Sequence, residues 1–223
     1  MMQTILLTGA TGSVGYQTLK ELLKQKDKFK IKVFELKNRK TCKKLYPYKK
    51  KIEIVWGDIT NKDDVEKAVK FSDTIIHTAA LIPPKADKYT ILAEKINVGG
   101  TQNIVDALNK FNPESFLIYT SSISVYGDRI DNPKIKILDP LTPSPRDHYA
   151  TTKIKAENYI KINTKNFSIF RLSAVMDIQM KLDPLFFHMP LKTPLEIVTT
   201  SDVASALVNA IEKKYYLVKL RKI

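Results

Sequence analysis

Cysteine is almost absent from this sequence. Cys42 stands alone among 223 residues, so no internal disulfide can form, and a reducing, cytoplasmic setting is expected. Long apolar runs are missing too: none reaches the roughly 18 residues of a membrane span. The opening "MMQTILLTG" has neither a basic leader nor a small-residue cleavage site. No membrane partner and no secretory signal are therefore expected. The three histidines, His77, His148 and His188, lack metal-ligand spacing, so no metal is expected, and His77 reads as a core residue at a strand end. Arginine is scarce, at Arg39, Arg129, Arg146, Arg171 and Arg221 only, although the net charge is +14. Readers of bases and phosphates favour arginine for its bidentate fork. Here the excess is lysine spread along the whole chain, so no specific nucleic-acid partner is expected. The densest cluster, "KKLYPYKKK" (43–51), reads as a solvated loop, with an anion-binding patch as the alternative.

What remains is an ordinary globular composition, 43% hydrophobic and 27% charged, long enough for one sizeable domain. Apolar, β-branched runs at 4–8, 31–36, 52–57, 73–79, 115–121 and 167–172 alternate with helical patterns at 13–25, 61–71, 93–111 and 149–163. That alternation predicts crossover units and a parallel sheet covered on both faces, with near-continuous apolar strands. The proline-dotted stretch 131–148 is the one long irregular connection.

Glycine is sparse, yet three of seven fall in "ILLTGATGSVG" (5–15), directly after the first strand and at the start of the first helix. In that context Gly9 permits a tight turn, Gly12 lets backbone approach a pyrophosphate, and Gly15 lets helix and strand pack closely. The helix N-terminus then faces an anion. Such a site needs an acid at the end of the second strand for the ribose hydroxyls, and Glu35 stands there. A carboxylate repels a 2′-phosphate, which favours NAD over NADP; the nearby Lys37, Arg39 and Lys40 pull the other way. After the third strand, Asp58 and Ile59 could hold an adenine, or Asp58 could cap the helix that starts near Asn61. Gly99 and Gly100 interrupt a helical pattern, where each costs about 1 kcal/mol relative to alanine. Close packing against the sheet would explain them.

Tyr149 and Lys153 lie four apart on one helix face in "YATTK". A neighbouring ammonium stabilises tyrosinate, so Tyr149 is expected to have a lowered pKa and to act as an acid/base near neutrality. The spacing alone proves nothing. Composition predicts Y-x-x-x-K about 1.4 times by chance, and it occurs at Tyr16–Lys20, Tyr46–Lys50, Tyr149–Lys153 and Tyr215–Lys219. Position selects Tyr149, which opens a helix between the fifth and sixth strands. The strand before it ends in "YTSS", bringing Ser122 to the carboxyl edge, where ligands of open α/β sheets bind.

On "TGATGSVG", Glu35, "GDIT", "IIHTAA", "INVGGTQN", "YTSSISVYG", "HYATTKIKAE" and "FRLSAV", the chain resembles an extended short-chain dehydrogenase/reductase of the NAD-dependent epimerase/dehydratase type. The likeness runs from Met2 to about Val175, and "VTTSDVASALVNAI" (198–211) continues it. It implies an α/β, Rossmann-type doubly wound parallel sheet flanked by helices. It also implies Ser122, Tyr149 and Lys153 as a catalytic triad, with Ser13 and Val14 at the pyrophosphate. Thr78, Ala79 and Ala80 would line the nicotinamide side, and Asn97 would support the active-site network. The C-terminal substrate lobe of such proteins would be reduced here, with 176–223 as its remnant in a C-terminally short chain. Within that remnant, Phe186, Phe187, His188 and Met189 either face a substrate or cover apolar surface. The expected function is NAD-dependent epimerisation, dehydration or oxidation of a small hydroxyl-bearing substrate such as a nucleotide sugar, with a homodimer as the assembly to consider. The alternatives are a nucleotide-binding regulator without turnover on the same fold and a nucleic-acid binder resting on charge alone.

Overall fold

The computed structural model describes residues 2–129, 133–177 and 196–213. The chain alternates β1 (Gln3–Thr8), α1 (Ser13–Lys24), β2 (Phe29–Glu35), α2 (Arg39–Leu45), β3 (Glu53–Trp56), α3 (Lys62–Val69) and β4 (Thr74–His77). Two single-turn helices follow, α4 (Lys85–Lys88) and α5 (Thr90–Ala93), then a π-helical stretch (Glu94–Gly99) that runs into α6 (Gly100–Phe111). Next come β5 (Phe116–Ser122), α7 (His148–Asn163), β6 (Phe167–Leu172), β7 (Ala174–Met176), β8 (Ile197–Thr199) and α8 (Thr200–Glu212).

The first six strands form one parallel sheet in the order β3-β2-β1-β4-β5-β6. This is the doubly wound, Rossmann-type order expected, and it reverses between β1 and β4. β7 and β8 form a separate parallel pair. Both faces of the sheet are apolar because strand residues alternate sides. Ile5 and Leu7 of β1 join a cluster with α1 and α8 through Leu19, Leu22, Val203 and Leu207. Leu6, between them, joins the opposite cluster with α3, α6 and α7 through Val65, Ile104, Leu108 and Ile160. Burying each such side chain contributes about 1.5–3 kcal/mol. Among the described residues, no helix is long and apolar enough to cross a membrane.

One element departs from expectation. Residues 39–45 are helical and Tyr46–Tyr48 make a 3₁₀ turn where a loop was expected over 43–51. The start signal is Asn38, whose side chain accepts from Thr41 N while the Thr41 hydroxyl accepts from Asn38 N. This reciprocal cap uses threonine where glutamate is usual. Leu45 is buried beneath the lysines.

Candidate active site

Two adjoining hollows, of about 530 and 590 Å3, open at the carboxyl edge of the sheet where the strand order reverses. They share Gly9, Gly12, Thr78 and Ala80, so the glycine turn and the strand end opposite it form a saddle between them. Gly9 has φ +70°, and a Cβ there would lie 2.7 Å from the Ala79 Cα. A Cβ on Gly15 would lie 2.1 Å from the Gly9 carbonyl oxygen. Gly12 is under no such pressure: a Cβ would meet only the Gly9 carbonyl, at 3.4 Å. Its place is at the start of α1, which has no side-chain cap and no acid in its first turn, whereas Asn61, Asp147 and Thr199 cap α3, α7 and α8. The uncapped amides at Ser13, Val14 and Gly15 line the second hollow, a ready anion cradle.

The first hollow is walled by Glu35, Asp58 and Ile59. Glu35 Oε2 accepts from the Thr11 amide at 2.9 Å, and Lys44 Nζ donates to the Thr11 carbonyl at 2.9 Å, so both polar ends of one turn residue are gripped. Lys44 also lies 4.2 Å from the Tyr16 ring centroid. Part of the supposed solvated cluster therefore serves the turn. Asp58 is not the cap of α3. Asn61 takes that role, and Asp58 accepts from the Thr60 amide and hydroxyl.

The saddle's far wall, Thr78 to Leu81, hangs from buried side chains. Thr78 Oγ1 donates to the Thr8 carbonyl, and the Ala79 amide donates to Thr8 Oγ1. Asn97 Oδ1 accepts from the Leu81 amide while its Nδ2 donates to the Leu81 carbonyl and Thr152 Oγ1. At 1% exposure, with its amide so engaged, Asn97 holds this wall rather than facing the cleft. The two glycines after it do not pack on the sheet as expected. A Cβ on Gly99 would meet nothing within 4 Å, and one on Gly100 would press on Ile59 at 3.0 Å. Gly100 thus makes room for a residue of the first hollow.

Ser122, Tyr149 and Lys153 all line the second hollow. Ser122 ends β5, and its hydroxyl accepts from the Ser124 amide and hydroxyl. Lys153, 2% exposed, donates to the Thr120 carbonyl at 2.8 Å and lies 4.8 and 5.7 Å from the Tyr119 and Tyr149 ring centroids. Burial lowers its pKa to about 7, opposed by the Glu157 carboxylate one turn along. Tyr149 departs from expectation: its pKa is raised to about 12, by burial first and by Asp147 second. The anticipated lowering fails because burial disfavours tyrosinate directly and also strips Lys153 of part of its charge.

Other residues here carried no role in the sequence reading. Leu172, Ser173, Asp177 and Thr200 line the second hollow. Leu172, Ser173 and Thr200 come from "FRLSAV" and "VTTSD", segments that bore the resemblance without assigned roles. Glu157, fully buried, takes Arg171 Nε at 2.9 Å and Nη2 at 2.7 Å, plus Lys161 at 3.0 Å. Burial opposes its ionisation, but Arg171 and Lys161 outweigh that and hold its pKa below the ordinary value. Of the other Y-x-x-x-K copies, Tyr16 is packed against Tyr48 and Tyr46 is exposed; Tyr215–Lys219 lies outside the described residues, as do Phe186, Phe187, His188 and Met189.

A sequence model of the 3-beta hydroxysteroid dehydrogenase/isomerase family matches residues 6–173. The chain is 34% identical over 128 residues to the 3 beta-hydroxysteroid dehydrogenase type 7 of Mus musculus, covering 56% of this chain and 34% of that protein. It is 33% identical over 163 residues to a 3-beta-hydroxysteroid dehydrogenase of Mycolicibacterium neoaurum, covering 70% and 42%. This chain thus spans less than half the length of either relative. Among solved structures, the Thermus thermophilus UDP-glucose 4-epimerase complex with NAD superposes with a TM-score of 0.77 at 20% identity, over 93% of this chain and 74% of that one, a likeness of fold. With three quarters of its length matched by the family's own pattern, and with that fold, the chain belongs to the 3-beta hydroxysteroid dehydrogenase/isomerase family of extended short-chain dehydrogenases/reductases.

Proposed function

We propose that the cleft binds NAD and that Ser122, Tyr149 and Lys153 carry oxidation, epimerisation or dehydration of a hydroxyl-bearing substrate, a sterol-type alcohol or a nucleotide sugar. The observation that carries this reading is that all three side chains line one hollow with the glycine turn and the uncapped start of α1. The fit to a dinucleotide rests on those open amides and on Glu35 beside the turn. NAD bound there supplies the hydride acceptor. The names of the family and of the Thermus structure support the same assignment.

In this reading Ser13 and Val14 amides hold the pyrophosphate and Glu35 takes the ribose hydroxyls. Asp58 and Ile59 flank the adenine, and Thr78 to Ala80 line the nicotinamide side. Ser122 donates to the substrate oxygen, Tyr149 exchanges the hydroxyl proton, and Lys153 orients the second ribose. Asp177 and Thr200 also line the hollow and would face the substrate. A second reading, binding without turnover, is favoured by the raised pKa of Tyr149, which keeps the proton on its oxygen far above neutrality.

Fluorescence titration with NADH and NADPH tests the cofactor assignment. The expected result is tighter binding of NADH, reversed or levelled in Glu35→Gln. Equal or tighter NADPH binding by the unaltered chain removes Glu35 from its role.

A further inference from the structure

A buried hydrogen-bond chain runs from the cleft wall into α6, and none of the roles above uses its centre. The Ala79 amide donates to Thr8 Oγ1 at 3.2 Å. Thr8 Oγ1 lies 2.7 Å from His77 Nδ1, and His77 Nε2 lies 3.1 Å from Thr101 Oγ1. Thr101 Oγ1 in turn donates to the Asn97 carbonyl at 2.6 Å. Thr8, His77 and Thr101 are all at most 1% exposed.

The ends of this chain fix its direction. An amide can only donate and a carbonyl can only accept. The Thr101 hydrogen goes to the Asn97 carbonyl, so Thr101 Oγ1, which also meets the Tyr119 hydroxyl, accepts at its His77 contact and His77 Nε2 must carry a hydrogen. A neutral imidazole has one N–H, so Nδ1 is bare and takes the Thr8 hydrogen. Thr8 Oγ1 is then turned to accept from Ala79. Every hydrogen has one acceptor, which a buried network needs. The other tautomer sets a lone pair against Thr101 and leaves the Thr8 hydrogen without an acceptor. A charged ring strands the same hydrogen. Burial, and Lys153 after it, lower the His77 pKa to about 3 and keep the ring neutral.

We infer that His77 is a positioning residue: locked as the neutral Nε2–H tautomer, it aims the Thr8 hydroxyl at the Ala79 amide and thereby holds the Thr78–Leu81 wall against the glycine turn. The consequence for NAD affinity rests on the proposed function; the tautomer and the wall do not.

Two-bond proton–nitrogen correlation on the full chain labelled with 15N-histidine reads the tautomer, with the His77 signals identified by their loss in His77→Asn. The expected result is a single Nε2–H form that does not titrate between about pH 5 and pH 8. An Nδ1–H ring, tautomer averaging or protonation in that range overturns the inference. Asparagine offers an acceptor near the place of Nδ1, and glutamine offers a donor near that of Nε2. Amide hydrogen exchange at Ala79 should therefore stay slow in His77→Asn and speed up about tenfold or more in His77→Gln. NADH affinity should follow, near the unaltered value in the first and about tenfold weaker in the second. Equal exchange at Ala79 in both variants overturns the positioning role. Should His77→Gln fail to fold, Thr8→Val removes the same hydroxyl and leaves the ring; unchanged exchange at Ala79 there also overturns it. If the unaltered chain takes up no NADH, the cofactor reading falls while the tautomer and exchange results still decide this one.

Discussion

At the residue scale, the second hollow is governed by what burial does to charge. Lys153 has a folded pKa of about 7 against an ordinary 10.5. Between those values the unfolded chain binds the proton that the folded chain has released, so stability rises with pH across this window. The penalty is full below about 7 and gone above the ordinary value. Lys153→Met should therefore raise the Tm relative to the unaltered chain most at about pH 6–7, with the gap narrowing toward about pH 10 in circular-dichroism melts. A gap independent of pH would mean that Lys153 keeps its ordinary pKa. Tyr149, raised to about 12, holds its proton across the same range. As a proton acceptor it should work faster as pH climbs. Tyr149→Phe should lower turnover by about 10²–10⁴-fold while NADH still binds. Tyr16→Phe and Tyr46→Phe should change turnover little, since neither tyrosine lines the second hollow. If either of those variants is the one that stops turnover, the site is misassigned. That Ser122, Tyr149 and Lys153 share one edge of the sheet was readable from their order along the chain. The direction of the Tyr149 shift was not, because burial is a property of the packed helix and leaves no mark in a four-residue spacing.

At the scale of elements, α7 shows why a helix can be easy to place and hard to interpret. Its buried face holds Thr152, Lys153 and Glu157 beside Ala150, Ala156 and Ile160, so its apolar stripe is broken where the chemistry sits. A polar residue one turn after a candidate lysine is the signal that could have revealed Glu157, and the arginine in "FRLSAV" supplies its partner. α2 escaped notice because its capping pair is Asn38 and Thr41, without a glutamate, and because a short lysine-rich segment hides its buried leucine. The segment of α8 entered the sequence analysis only as a continuation of the family resemblance over 198–211, with neither its helix nor its packing partner assigned. It shares a core with α1 through Val203, Leu207 and Val208. Leu207 is fully buried, and Leu207→Ala should cost about 2–5 kcal/mol in urea denaturation. A loss below about 1 kcal/mol would show that α8 does not seal this face.

At the scale of the whole molecule, a parallel sheet covered on both faces followed from the alternation of apolar runs and helices, whereas its doubly wound order was implied by the family resemblance. The hollow's closing side was less legible, because Val175 of β7, Asp177 and Thr200 reach it from segments with weak patterns. The net charge of +14 is what the nucleic-acid alternative rests on. Several lysines are tied locally, such as Lys110 to Glu66, Lys155 to Glu94 and Lys28 to Glu212. Such surface pairs are each worth about 0–1 kcal/mol. Binding of a random DNA duplex should be weak and should vanish near physiological ionic strength. Sub-micromolar, sequence-selective binding at that salt in a polarisation assay would reopen the case.

The pairing of α1 with α8 also sets a timetable. α1 leaves the ribosome long before α8, and the α8 residues that share its core lie between positions 203 and 211. Until then the first helix lacks the part of its apolar cover that α8 supplies. The glycine turn and its helix, made early, are sealed late.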